Sequence, residues 1–334
     1  FITTANSMSI PLALRDRMEV IRISGYTEHE KLEICRRHLI ARQLKAHGLK
    51  ESVCTIAPET LPDIVRYYTS EAGVRSLNRC ISKLFRRAAR KLVQSGFAES
   101  ITITPDLLEE YLGVRKYRHG LAESSDQVGV VTGLAWTEVG GELLQIETAL
   151  TPGKGKLIVT GQIGDVMQES VRAALTYVRS RAAQLGLRAD FYQKVDIHVH
   201  VPEGAVPKDG PSAGLAMATS MVSALTGIPV CRTVCMTGEI NLRGVALPIG
   251  GLKEKLLAAQ RGMLERVLIP EANSSELKEV PGSVRETLDI HLVKDMDMVL
   301  RHALVRLPQS FDQYAEYLPA LLADIHVVPA TTAH

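Results

Sequence analysis

The stretch Pro207-Lys208-Asp209-Gly210-Pro211-Ser212-Ala213-Gly214 puts a serine directly after a Gly-Pro turn and directly before a run of small residues with helical character. A serine at such a point sits at a helix N-terminus, where backbone N–H groups lack intrahelical partners and the macrodipole is positive. An oxyanion formed beside it is stabilised by those donors, which is the chemistry of a nucleophile in acyl transfer. Ala213 and Gly214 are expected to leave room for a substrate backbone. The same position also suits a plain helix cap, and the motif alone leaves both readings open.

A nucleophilic serine needs a base. Gly210-Pro211-Ser212-Ala213-Gly214 has Gly-x-Ser-x-Gly spacing, which by itself names no base. His198 and His200 lie two apart in a β-rich run, so their side chains share one strand face. They suit a base or a hydrogen-bonded strand face equally, and no third metal ligand lies near them in sequence. Gly250-Gly251-Leu252-Lys253-Glu254-Lys255-Leu256-Leu257-Ala258-Ala259 gives a sharper pattern. Leu252, Leu256 and Ala259 form an apolar stripe at helical spacing. Lys255 falls inside that stripe, and Lys253 falls opposite it and is expected to reach water. A lysine on a buried face must pair, snorkel to the surface or lose its proton. A neutral amine is a competent general base for a serine hydroxyl. The Gly250-Gly251 pair is expected to let this helix start close to another backbone. Between the two motifs, Met236-Thr237-Gly238-Glu239 ends a β-rich run. Thr237 is suited to orient an amine and Glu239 to balance a charge. Glu147, in the strand-like QIETAL, is expected to be partly buried. A structural hydrogen bond accounts equally well for each of these three.

The elements that must hold these residues divide the chain. Residues 25–112 read as almost entirely helical. Thr27 and Glu30 form a capping-box pattern, and Ser76–Gln94 carries Leu77, Ile81, Leu84, Phe85, Ala88, Leu92 and Val93 as its inward face. Val53–Ile56 and Ile101–Thr104 read as a possible strand pair. Residues 115–127 are polar and charged and read as a linker. From Val128, β-rich runs at 128–131, 143–150, 156–160, 195–201, 233–236 and 267–269 alternate with helical patterns at 165–185, 212–225 and 252–261. That alternation is an α/β or α+β domain reaching about Leu307. Residues 308–334, with Pro308, Pro319 and Pro329, read as peripheral.

Composition bounds the function. The 334 residues suggest two or three domains. Hydrophobic residues make up 46% and charged residues 23%, which excludes collagen-like, mucin-like and largely disordered classes. Lys plus Arg is 39 against Asp plus Glu at 37, a net charge of +2, so nothing global favours nucleic acid. A local case exists: Arg75, Arg79, Lys83, Arg86, Arg87, Arg90 and Lys91 fall on one helix with no acidic residue among them. The opening FITTANSMSI has no basic n-region, and 214–230 reads as a buried helix, not a bilayer span. Five irregularly spaced cysteines argue against a disulfide framework and for a reducing, cytoplasmic setting. The segment PGKGK at 152–156 lacks phosphate-loop spacing and reads as a tight basic hairpin turn. Phe1-Ile2 read as the end of a strand, which places residue 1 inside a larger protein.

These motifs together resemble the carboxy-terminal part of bacterial ATP-dependent Lon proteases. PKDGPSAG at 207–214 and LPIGGLKEKLLAA at 247–259 carry the resemblance. TGEINLRG at 237–244, GLAWTEVGG at 133–141, DIHVHVPEGA at 196–205, TPGKGKL at 151–157, SGYTEHEKL at 24–32 and YYTSEAGVRSLNR at 67–79 support it in the right order. The resemblance implies a multidomain chain. Residues 1–24 would be the remnant of a large AAA+ subdomain, 25–114 an all-α AAA+ lid, 115–127 a linker, 128–307 an α/β (α+β) protease domain and 308–334 a tail. It implies Ser212 as nucleophile and Lys255 as general base, with Thr237 holding the Lys255 amine. Asp209, His198, His200, Glu147 and Glu239 would form the surrounding network, with no metal. It assigns Asn6 as sensor 1, Arg17 as arginine finger and Arg75 as sensor 2, all serving ATP with Mg²⁺. It further implies misfolded, unfolded or degron-bearing protein substrates, a cytoplasmic homohexamer, a secondary DNA affinity and no membrane. One departure stands out: the phosphate loop and the acidic Mg²⁺ motif do not occur in these 334 residues. Competent ATP binding is therefore not expected of this chain, and cleavage is expected only of small unstructured peptides.

Overall fold

Residues 25–112 fold as their helical periodicity requires. The computed structural model describes residues 11–19, 21, 25–96, 100–117, 125–137, 140–188, 190–202 and 208–308. Asn6, the opening Phe1-Ile2 and the tail beyond 308 lie outside them. The chain divides into two compact units, Phe1–Gly120 with Thr137–Gly140, and Leu121–Trp136 with Gly141–His334.

The first unit contains α1 (Leu12–Arg15), α2 (Glu28–Ile34), α3 (Ile40–Ala46), β1 (Cys54–Ile56), α4 (Thr60–Tyr68), α5 (Arg75–Gln94), β2 (Ile101–Ile103) and α6 (Leu108–Leu112). Thr27 and Glu30 form the capping box at the start of α2. Leu77, Ile81, Leu84, Phe85, Ala88 and Leu92 are fully buried along α5, whereas Val93 points out and is 65% exposed. The short strands pair in parallel, Cys54 opposite Ile101. A π-helical turn at Cys35–Leu39 joins α2 to α3, which the periodicity did not reveal. The start of α5 has no cap of its own. The Glu71 carboxylate fills that role, accepting from Ser76 N and Leu77 N at 2.8 Å each, and so offsets the macrodipole of a basic helix. Arg115, Lys116 and Tyr117, read above as linker, are packed on this unit. The Arg115 guanidinium lies 4.0 Å from the Tyr67 ring centre, and Lys116 and Tyr117 N–H donate to Tyr67 O.

The second unit contains β3 (Val130–Thr137), β4 (Gly140–Pro152), β5 (Leu157–Thr160), α7 (Asp165–Ser180), β6 (Val195–His200), α8 (Gly214–Thr226), β7 (Val234–Met236), β8 (Glu239–Ile240), β9 (Ala246–Leu247), α9 (Leu252–Arg261), β10 (Arg266–Pro270), α10 (Gly282–Thr287), β11 (Asp289–Val293) and α11 (Met296–Ala303). Seven strands form one mixed sheet in the order β11-β10-β7-β3-β4-β6-β5. Helix α8 is buried almost all round, because its one glycine and its alanines, serines and threonines fit where larger side chains would not. Its buried hydroxyls are satisfied: Ser220 donates to Gly129 O, Thr219 to Leu215 O and Ser223 to Ile228 O. Among the described residues no helix is long and apolar enough to cross a membrane. All five cysteines are free thiols.

The 152–156 segment is not a hairpin turn. Strand β6 runs between β4 and β5, antiparallel to the first and parallel to the second. The Asp196 carboxylate on β6 accepts from Lys154 N and Lys156 N, so the amides of this glycine-rich stretch are taken up by an internal anion.

Candidate active site

Ser212 lies in a single 3₁₀ turn, Pro211–Ala213, that leads into α8. It is half-buried, and it caps nothing: neither this turn nor α8 has a side-chain cap bond. The cap reading of this serine therefore fails. The next link comes from the connection between β7 and β8. Gly238 N donates to Ser212 O at 2.8 Å, and Leu215 N donates back to Gly238 O at 3.1 Å. This pairing needs two glycines in contact with the opposite element. A Cβ on Gly214 would meet Ile240 Cγ2 at 2.8 Å and Ile240 N at 2.9 Å, and one on Gly238 would fall inside the Leu215 side chain. The space expected beside Gly214 for a substrate is thus filled by the chain itself.

The clasp delivers Thr237 to the serine. Its buried hydroxyl donates to Ser212 O at 3.2 Å and accepts from Lys255 Nζ at 3.0 Å. Lys255 lies on α9, whose apolar stripe (Leu252, Leu256, Ala259) is buried, and its own side chain is 2% exposed. Among the described residues no carboxylate pairs with it. Burial pushes its pKa down from 10.5 to about 8, with the Glu276 carboxylate opposing that shift. Lys253, expected in water, is half-buried instead. Gly250 meets nothing, and the close approach at Gly251 is to the Trp136 ring and not to another backbone.

The remaining candidates sit as follows. Asp209 is exposed and accepts from Met167 N at 3.0 Å and Gly210 N at 2.9 Å, which caps the start of α7 and holds the turn before Ser212. His198 and His200 share one half-buried face of β6, and both bond the Thr160 hydroxyl, at 2.9 and 2.7 Å. Glu147 lies opposite His200 in the β4–β6 register. Glu239 pairs with Leu247 in the small β8–β9 ribbon, two residues past Thr237. Among the described residues, no hydrogen bond or ion pair joins Asp209, His198, His200, Glu147 or Glu239 to Lys255. Arg75 is the first residue of α5 and is exposed, and Arg17, just after α1, is also exposed. Among the described residues no group of three or more His, Cys, Asp or Glu is arranged to hold a metal.

Two positions near Lys255 gave no signal in the sequence. Gly141 looks like one more turn glycine, yet β4 passes there directly against the α9 backbone. Asn273, inside the polar run EANSSEL, is 1% exposed and bonds both backbone groups of Ile249. No periodic pattern marks an asparagine in a 3₁₀ stretch, so neither could be found from spacing.

Two family models match. The Lon protease (S16) C-terminal proteolytic domain matches residues 102–306, and the Lon protease AAA+ ATPase lid domain matches residues 45–101. Lon protease of Erwinia amylovora is 58% identical over 308 residues, 92% of this chain and 39% of that protein. Lon protease of Haemophilus influenzae is 56% identical over 312 residues, 93% of this chain and 39% of that protein. Lon protease of Escherichia coli (strain K12) is 58% identical over 310 residues, 93% of this chain and 40% of that protein. The chain spans about two fifths of the length of these curated relatives.

Proposed function

The chain belongs to the Lon protease family, and on that footing we propose that it cleaves peptide bonds as a serine endopeptidase with Ser212 as nucleophile and Lys255 as general base. The observation that carries this reading is the hydrogen-bond chain from Lys255 Nζ through Thr237 Oγ1 to the Ser212 carbonyl, which starts on a buried amine with no carboxylate partner among the described residues. Neutral Lys255 Nζ removes the proton from Ser212 Oγ, and the oxygen forms a bond to the peptide carbonyl carbon. The oxyanion so formed is held by backbone N–H groups of the Pro211–Ala213 turn that carries Ser212. Protonated Nζ returns its proton to the leaving nitrogen as the C–N bond breaks. Water, deprotonated by the same amine, then bonds to the acyl carbon, the carbon–Oγ bond breaks, and Nζ returns the proton to Ser212 Oγ. Thr237 keeps the amine aimed at this turn throughout.

In the longer relatives this chemistry would be driven by ATP with Mg²⁺, with Asn6, Arg17 and Arg75 serving the nucleotide in a cytoplasmic homohexamer that degrades misfolded and regulatory proteins. This chain, treated alone with a peptide carrying a serine-reactive electrophile at pH 8–9, is expected to gain the mass of one adduct, and S212A is expected to gain none. An unmodified wild-type mass, or equal labelling of S212A, rejects the reading.

A secondary DNA affinity is favoured by the surface of α5. Lys83 and Arg87 bond Leu112 O and Glu110 O, and Lys91 pairs with Glu110. Arg75, Arg79, Arg86 and Arg90 stay exposed along one stripe with no acidic partner among the described residues. Duplex DNA binding by the chain is expected to weaken steeply with salt, and R86E/R90E to flatten that slope. Binding that ignores both salt and the double substitution removes this reading.

A further inference from the structure

Ahead of α9 the chain is held by a side chain that imitates a strand. Asn273, buried in the 3₁₀ stretch Glu271–Glu279, accepts from Ile249 N at 3.1 Å and donates to Ile249 O at 2.8 Å. Both backbone groups of one residue are thus satisfied by one amide, as in an antiparallel pair. The second Nδ2 hydrogen goes to Glu276 Oε1 at 2.5 Å. All of the asparagine's donors and its carbonyl are engaged, and a buried polar group so fully used is costly to alter. Ile249 stands three residues before Leu252, where α9 begins.

We propose that Asn273 and Glu276 are positioning residues for the Lys255 amine. In this arrangement Asn273 fixes the backbone from which α9 springs and holds the Glu276 carboxylate within electrostatic reach of Nζ. The inference rests on the reading of Lys255 as general base. Other charged groups stand on the elements packed around the amine: Lys253, Glu254 and Arg261 on α9 itself, Glu142 on β4, Glu271, Lys278 and Glu279 on the 3₁₀ stretch, and Arg285 and Glu286 on α10. Those on the 3₁₀ stretch and α10 are exposed to solvent, which screens them. Cys235 on β7 is buried and kept as a neutral thiol by that burial. Glu276, half-buried and held by Asn273, is placed so that its charge opposes the effect of burial on the Lys255 amine.

The test is a direct titration of Lys255 by NMR in the full chain carrying ¹³Cε-lysine, the resonance being the one lost in K255M. E276Q is expected to lower the midpoint by about half to one pH unit, as loss of a nearby negative charge requires. E276D is expected to restore it. N273A should move the midpoint in the same direction as E276Q. E276Q keeps the test valid if N273A folds poorly. A midpoint in E276Q equal to that of wild type overturns the proposal. Peptide cleavage measured against pH on the same samples separates the two levels of inference. An acid limb that moves with the NMR midpoint supports both. A midpoint that moves while the acid limb stays leaves the positioning intact and rejects Lys255 as the base.

Discussion

Replacing Lys255 by methionine is expected to cut peptide cleavage by at least about 10³-fold, the scale of removing a base from a nucleophile–base pair, while raising the melting temperature at pH 7. The two effects have one cause. Lys255 is 2% exposed, and its amine has Thr237 Oγ1 as its hydrogen-bond partner. Burial holds its pKa at about 8, against 10.5 for a solvated lysine. That difference costs the fold about 3 kcal/mol where the amine is charged in both states. Above pH 10.5 the amine is neutral in both states and the penalty is absent. Between 10.5 and 8 only the unfolded state takes up the proton, so stability falls as pH falls. Below about 8 both states are protonated and the full penalty remains. Methionine removes this dependence and keeps the apolar stripe of Leu252, Leu256 and Ala259 continuous. K255M should therefore melt above wild type at pH 7, and the gap should close as pH rises toward 10.5. Thermal melts at pH 7, 9 and 10.5, beside peptide-cleavage rates, decide the point. A melting temperature equal to that of wild type at pH 7 means that the amine's burial carries no cost. Retained cleavage in K255M removes it as the base. Lys253→Met, on the other side of α9, should keep most of the activity.

This site was legible in the sequence where the signal was local. The period of α9 put Lys255 inside and Lys253 elsewhere, because three residues along one helix report which face is buried. The Gly-Pro turn before Ser212 was visible for the same reason. What stayed hidden depends on which distant backbone comes near. Gly214 reads as open space in a motif, yet Ile240 occupies that space. The glycine-rich 152–156 reads as a hairpin, yet β6 separates its two strands. His198 and His200 were placed on one face correctly, but their shared partner Thr160 comes from a neighbouring strand. The π turn at Cys35–Leu39 inserts into a helical pattern without breaking it, so no period betrays it. Asn273 acts through the backbone of Ile249, 24 residues before it, and a side chain that serves a remote backbone leaves no trace in the spacing of its neighbours.

Gly141 shows what such a remote contact is worth. Alanine at this position is expected to lower peptide cleavage by about 10²-fold, the cost of a displacement near 1 Å in a catalytic group, and to destabilise the fold by about 1–3 kcal/mol, the range for overpacking. The backbone of Gly141 has no left-handed φ that alanine would resist. The whole effect comes from what a Cβ would touch. It would fall inside the Glu254 carbonyl and lie 3.0 Å from Lys255 N, both of them backbone atoms of the helix that carries the amine. Neither can move like the tip of a side chain. Arg261, at the end of the same helix, donates to Gly141 O, so β4 and α9 are also tied together at this point. The strand must back away, or the helix must shift and take Lys255 from Thr237. Gly250→Ala is the matched control, since a Cβ there meets nothing within 4 Å. It should leave melting and cleavage near wild type. Melting curves and kcat on the two variants test the argument. A G141A variant that melts and cleaves like wild type means that β4 and α9 have slack between them. A G141A variant that melts early but cleaves normally means that the contact supports the fold without setting the position of Lys255.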